Sequence, residues 1–109
     1  MNNGILQLIS AHIGTGETNA TPAEILQRLT GLDDRSLRVC VEQLRRSGCV
    51  VCSDENGYFK PATIEEVQRY IKKESRRAQS ILCTLESAKQ LEKVMRAAED
   101  NEKGDISNG

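Results

Sequence analysis

Two short amphipathic segments that meet at a tight turn constrain the fold of this chain more than any other feature. Apolar residues recur at helical spacing over residues 22–29 and again over residues 37–44. Gly31 stands where a left-handed residue ends a helix, Asp33 stands where an N-cap is expected, and Gly48 closes the second segment. The residues expected to face the core are Ile25, Leu26 and Leu29 in the first helix and Leu37, Cys40, Val41 and Leu44 in the second.

The segments on either side of this pair predict one helix before it and a β-hairpin after it. Apolar residues at helical spacing predict the first helix over residues 4–13. Residues 49–52 and 58–60 have the composition of short strands, and the polar run between them predicts a turn, while Pro61 prevents further pairing. A mainly α fold with one small β-hairpin follows from this pattern.

Two capping boxes predict where helices begin. In Thr21-Pro22-Ala23-Glu24 the threonine can cap a helix and the glutamate can reach back to the cap. Thr63-Ile64-Glu65-Glu66 repeats the pattern and opens a helical segment that continues at least to Met95. We therefore expect a globular domain over residues 1–61, a long C-terminal helix over residues 62–98 and a disordered polar tail over residues 99–109.

The predicted order of elements, with a glycine-containing turn before the third helix and a hairpin after it, is that of a winged helix-turn-helix domain. Similarity to the helix-turn-helix of many bacterial regulators is carried by residues 21–32, 35–38, 44 and 48. Similarity to small winged-helix proteins of bacterial phages and prophages is carried by residues 57–61, 63–67, 70 and 71. The resemblance implies sequence-specific binding of double-stranded DNA, in transcription regulation or as a replication accessory, and it implies no catalytic residues.

The outward face of the third helix is where such a protein would recognise DNA. Arg35 and Arg38 lie in the first turns of this helix, from which an arginine can form paired hydrogen bonds with guanine. The expected DNA-binding residues are Arg35, Ser36, Arg38, Val39, Glu42, Arg45, Arg46 and Lys60. The formal net charge of −1 does not exclude DNA, because phosphate attraction depends on the local field.

The same residues allow other interpretations. Arg45 and Arg46 suit phosphate contacts and the negative end of the helix dipole equally well. Neighbouring carboxylates nearly balance the arginines, so a merely solvated face is an alternative. Asp54 and Glu55 at the hairpin tip would repel phosphate. Either the tip stays off the DNA and Lys60 helps instead, or the domain binds a protein.

The long C-terminal helix carries an apolar stripe at heptad-like spacing, interrupted by Glu74 and Glu92. Because the helix is too long to pack wholly on so small a domain, we expect it to form a homodimer. The expected dimerisation residues are Ile71, Ala78, Ile81, Leu82, Leu85, Ala88, Leu91 and Met95. The alternatives are a break near Ser75 or Ser80 that folds the helix back, and an interaction module that uses the helix to hold another protein. A basic cluster over residues 72–77 suits phosphate contact or a solvated face.

The sequence offers little for catalysis. Cys49 and Cys52 have C-x-x-C spacing, but residues three apart on a strand point to opposite faces, so buried thiols are favoured over zinc binding or redox sensing. His12 is the only histidine, and no glycine-rich phosphate loop is present. We expect no enzyme activity, cofactor, metal or small-molecule substrate. Without an export signal or a long apolar run, we expect a cytoplasmic protein that does not enter membranes.

Overall fold

Four α-helices and three short strands make up the computed structural model, which describes residues 3–108 and the side chains of residues 4–101. The elements in chain order are α1 (Asn3–His12), β1 (Gly14–Thr15), a 3-10 helix (Glu17–Asn19), α2 (Ala23–Thr30), α3 (Asp34–Arg46), β2 (Cys52–Asp54), β3 (Gly57–Lys60) and α4 (Ile64–Asn108). The chain is mainly helical, as predicted. It divides into two compact units, Met1–Ile71 and Lys72–Gly109.

The core of the first unit is formed by α1, α2, α3 and the segment that enters the sheet. The fully buried side chains are those of Ile9, Leu26, Leu37, Val41 and Val51. All four residues of the predicted α3 stripe are buried, which confirms that prediction. Since burying one large aliphatic side chain stabilises a fold by about 1.5–3 kcal/mol, this stripe fixes which face of α3 points to solvent.

The predicted apolar face of α2 is only partly buried. Leu26 is inaccessible to solvent, but Ile25 is 44% exposed and Leu29 is 45% exposed. Ile25 and Leu29 are four residues apart and therefore share one side of the helix, displaced from the direction in which Leu26 points. The expectation that all three side chains face the core is therefore wrong, and α2 leaves an apolar pair at the surface.

Thr21 does not cap α2, contrary to the first predicted capping box. The N-cap is Pro22, and no side chain bonds the cap. The backbone of Thr21 exchanges hydrogen bonds with Tyr58, at 2.7 and 2.9 Å. Its hydroxyl donates to the carbonyl of His12 at 2.9 Å and accepts from the amide of Gly14 at 3.1 Å. Pairing with β3 thus places the Thr21 side chain at the end of α1, away from the helix it was expected to cap.

Three other predicted helix ends are confirmed. Gly31 has the left-handed φ of 75°, and its amide donates to the carbonyl of Gln27 at 2.7 Å. The Asp33 carboxylate caps α3 by accepting from the amide of Ser36 at 2.8 Å. At the start of α4, the Thr63 hydroxyl accepts from the amide of Glu66 at 3.1 Å.

The sheet has the order β1-β3-β2. The predicted hairpin is present, with β2 and β3 antiparallel and Cys52 opposite Phe59. Its first strand begins at Cys52, three residues later than the predicted start at Cys49. The additional strand β1 runs parallel to β3, with Gly14 opposite Phe59. Two residues are too few to give a periodic pattern, so the sequence offered no signal for β1.

Helix α4 extends past residue 98, where the predicted helix gives way to a tail. Residues 99–101 are helical, since adding residues to an existing helix avoids the cost of nucleation. The predicted tail from residue 102 onward lies outside the residues with described side chains. The helix also continues through Ser75 and Ser80, so the alternative of a break there is wrong. Within the described chain, no helix combines the length and apolar character that crossing a bilayer requires.

Candidate nucleic-acid interface

The orientation of α3 follows from its buried stripe. Arg35, Val39 and Arg46 lie on the opposite side of the helix and are exposed, with Val39 47% exposed. Arg35 and Arg46 make no hydrogen bond or ion pair with any residue that the structure describes. An exposed valine flanked by two arginines provides apolar contact and cationic hydrogen-bond donors along one line, which suits a groove of duplex DNA.

The N-terminal turn of α3 is the most polar part of this face. Hydrogen bonds from the backbone and side chain of Ser36 hold the pKa of Asp33 below its usual value. Ser36 is half-buried, so its role is to complete the cap. Arg38 pairs with Asp34 at 3.0 Å, and both side chains are largely exposed. Exposed pairs contribute only about 0–1 kcal/mol, so Arg38 can exchange this carboxylate for another anion.

Arg45 lies inside the fold and not on the outward face. Its side chain is 14% exposed, and it donates from Nε and Nη2 to the carbonyl of Val51. Its Nη1 donates to Glu42 at 2.7 Å, and the guanidinium lies 5.7 Å from the centre of the Tyr70 ring. Arg45 therefore connects α3 to the strand entry and to α4, and Glu42 helps to hold it. We leave Arg45 and Glu42 out of the candidate interface.

Lys60 likewise forms its hydrogen bonds within the first unit. Its Nζ donates to the carbonyl of Ser10 at 2.8 Å and joins β3 to α1. The amide of Gly16 donates to the Lys60 carbonyl at 2.7 Å, so both main chain and side chain of this residue hold the sheet in place. Lys60 is half-buried, and a phosphate contact would cost its bond to Ser10.

An acidic groove of about 430 Å³ runs between the start of α2, the start of α3 and the hairpin tip. Its charged lining residues are Glu24, Asp34, Arg38, Asp54 and Glu55. The four carboxylates outnumber the single arginine, which already pairs with Asp34. Asp54 also accepts from the amide of Asn56 at 2.8 Å, which fixes the hairpin turn. The groove therefore repels phosphate. The sequence showed Asp54 and Glu55 at the tip but gave no sign that Glu24 joins them.

A second acidic cluster, which the sequence did not reveal, stabilises the fold. Glu66 is 9% exposed and accepts from the amide of Ala62 at 2.8 Å and from that of Glu17 at 3.1 Å. These bonds, that from Ala62 foremost, hold the pKa of Glu66 below its usual value. Arg69 bonds both carboxylate oxygens of Glu17, which lowers the pKa of Glu17. The cluster ties the 3-10 helix to the start of α4.

The predicted dimerisation residues are exposed side chains of α4. Ile71 ends the first unit, and the others lie in the second. The large apolar residues exposed in the second unit are Ile81, Leu82, Leu85, Leu91, Val94 and Met95, with exposed fractions between 48% and 65%. A shallow hollow of about 500 Å³ lies along Ala88, Leu91 and Met95. Water contact at so many large apolar side chains is unfavourable, so this surface favours a partner.

The cysteines do not assemble into a metal centre. Cys40 and Cys52 are buried thiols, Cys49 is half-buried and Cys83 is exposed. Over the part of the chain that the structure describes, no three His, Cys, Asp or Glu side chains are grouped to hold a metal ion. Comparisons with protein-family models, with curated proteins and with solved structures find no match to this chain. The choice of function therefore depends on the residues themselves.

Proposed function

We propose that this protein binds double-stranded DNA sequence-specifically, as a winged helix-turn-helix protein whose α3 enters the major groove. The sequence resemblance favours a bacterial protein encoded by a phage or prophage, which acts as a transcription regulator or as a replication accessory. The supporting order of elements is α2, a turn at Gly31, α3 and then the β2–β3 hairpin. This is the order in which winged-helix proteins present a recognition helix.

One observation carries the proposal: the outward line of α3 contains Arg35, Val39 and Arg46, while the opposite stripe fixes the helix on the core. Arg35 lies in the first turn of the helix, where recognition helices contact base edges. Arg46 lies at the last turn and suits a phosphate. Arg38 completes the set once it exchanges Asp34 for DNA.

The acidic groove limits how the domain can approach DNA. Asp54 and Glu55 at the hairpin tip repel phosphate, so the hairpin stays off the duplex. Lys60 bonds α1 and makes no contact with DNA from the hairpin. Base recognition then falls to α3 alone.

The second part of the proposal is that α4 joins two copies of the chain in the cytoplasm. The predicted dimerisation residues of the second unit are exposed, and they follow the heptad-like stripe of the sequence. A two-fold pair buries the same surface twice and presents two recognition helices to a pseudo-palindromic site.

The experiment that tests DNA recognition compares Arg35→Ala with Arg28→Ala, which removes an exposed arginine from α2. Binding sites are first selected from a mixed duplex library by mobility shift at low salt. We expect Arg35→Ala to weaken binding to the selected site by about 1–3 kcal/mol and to relax preference at one base position. Arg28→Ala should leave binding unchanged. Failure of the wild type to bind any duplex at low salt would overturn the proposal.

The acidic groove favours a second candidate, a winged-helix module that holds a protein partner with a basic segment. On that view Arg35→Ala leaves partner binding intact, whereas Glu55→Lys weakens it. Arg35→Ala therefore separates the two candidates, because only DNA binding depends on Arg35.

A further inference from the structure

We infer that Lys72, Lys73 and Arg76, at the start of the second unit, contact the phosphate backbone of double-stranded DNA. This inference rests on the proposed DNA-binding function and gives it a second contact surface, which we call the basic patch. The three residues are separated by one, three and four positions, so they share one side of α4. All three are exposed.

Two of the three side chains of the basic patch, those of Lys72 and Arg76, lack the counter-charges of an ordinary solvated face. Glu66, in the first turn of α4, is buried and accepts from the amides of Ala62 and Glu17. Glu74 lies 3.8 Å from Arg77. Lys72 and Arg76 form no ion pair or hydrogen bond with any residue that the structure describes. Their charge is therefore available to an external anion.

The charge balance of α3 shows why a further contact surface is needed. Around its outward face, Asp33 and Asp34 offset most of the arginine charge, and the neighbouring groove is acidic. Phosphate neutralisation supplies essentially all of non-specific DNA affinity. When the positive and negative charges around the recognition helix nearly cancel, the attraction to phosphate must come from another part of the chain. The basic patch provides it.

The position of the basic patch leaves the apolar face of α4 accessible. Arg76 and Leu85 are nine residues apart, which places them on opposite sides of the helix. Phosphate contact through Arg76 and helix pairing through Leu85 therefore use different surfaces and do not compete.

The test is the salt dependence of binding to a short mixed-sequence duplex, measured by fluorescence anisotropy with the full chain. The variant K72Q/R76Q removes two positive charges from the patch, and the control K89Q/K93Q removes two exposed charges further along the same helix. Each lost phosphate contact lowers the slope of log K against log salt by about 0.9, so K72Q/R76Q should lower it by roughly 1.8. The control should keep the wild-type slope. Circular dichroism should show equal helicity, because glutamine is a good helix former.

The outcomes separate the patch from the proposed function. A wild type that binds with a salt-dependent slope, and a K72Q/R76Q variant with the same slope, would overturn the inference alone. An equal reduction of the salt slope in both variants would also overturn the inference, because the total charge of the helix and not the basic patch would then determine the slope. No binding by the wild type would remove the proposed function and the inference together. Loss of binding to phosphatidylserine vesicles in K72Q/R76Q, with its DNA slope unchanged, would assign the patch to a membrane surface and overturn the inference.

Discussion

The guanidinium of Arg45 donates two hydrogen bonds to the main-chain carbonyl of Val51, from Nε at 2.9 Å and from Nη2 at 2.7 Å. The carbonyl belongs to the segment that leads from α3 into the sheet. The same guanidinium bonds Glu42 and faces the Tyr70 ring. One arginine thus satisfies a main-chain acceptor and joins three parts of the first unit.

Arg45→Ala should therefore destabilise the fold. The substitution removes charge-assisted hydrogen bonds and leaves the Val51 carbonyl without its donor. We expect the free energy of unfolding to fall by about 2–3 kcal/mol. Arg46→Ala, at the neighbouring exposed position, should change stability by less than about 0.5 kcal/mol. Urea unfolding followed by circular dichroism measures both. Equal stabilities for the two variants would show that Arg45 does not hold the strand entry.

Acid should weaken the first unit through Glu66. Its pKa is lowered in the folded chain by hydrogen bonds from the amides of Ala62 and Glu17. A carboxyl group with a lowered folded pKa contributes stability above its unfolded pKa and loses it as pH falls through the folded value. The Tm should therefore decline as pH falls below about 4.3, the ordinary value for glutamate.

The variant Glu66→Gln isolates this contribution. Glutamine does not titrate, so the variant should have a lower Tm near neutral pH and a shallower decline in acid than the wild type. Glu65→Gln, at an exposed neighbouring position, is the control and should keep the wild-type profile. Thermal unfolding across the acid range gives the comparison. Parallel profiles for wild type and Glu66→Gln would exclude Glu66 as the source of acid sensitivity.

Much of the fold could be predicted because local chemistry and packing agree along α3. Asp33 caps the helix, and the stripe from Leu37 to Leu44 is buried. Thr21 misled the prediction because its backbone pairs with Tyr58, a residue far along the chain. Strand β1 could not be predicted either, since two residues give no periodic pattern and its partner β3 is distant in sequence. Long-range pairing overrides a local signal wherever the two compete.

The candidate site was predicted in part. The outward line of Arg35, Val39 and Arg46 follows from helical periodicity alone. Periodicity could not show that Arg45 turns inward, because its acceptor is a main-chain carbonyl outside the helix. Nor could it show that Lys60 reaches α1. A long charged side chain can bury its stem and bond a backbone group, and only the fold determines where that group lies.

Neutralising the hairpin tip should strengthen DNA binding. The variant D54N/E55Q removes two negative charges from the acidic groove, and the side-chain amide that D54N introduces retains an oxygen that can accept from the Asn56 backbone. Charges at the rim of an interface act mainly on the association rate, and we expect roughly a two- to fivefold increase in affinity at low salt. The gain should shrink as salt increases. Mobility shifts at two salt concentrations measure it, and weaker DNA binding by the variant would place the tip in contact with the duplex.

Pairing through α4 should depend on one side of the helix. Ile81→Glu places a charge within the apolar stripe, where a partner helix would have to bury it, so the variant should be monomeric. Cys83→Glu is the matched control, because Cys83 is exposed and lies two residues from both Ile81 and Leu85, on the opposite side of the helix. Light scattering of the full chain gives the mass of each variant. A monomeric wild type, or dissociation by both substitutions alike, would contradict pairing through the stripe. If only Ile81→Glu loses the dimer, each recognition helix of that variant acts by itself. The variant should then bind an operator with two half-sites more weakly, while its binding to a single half-site stays unchanged.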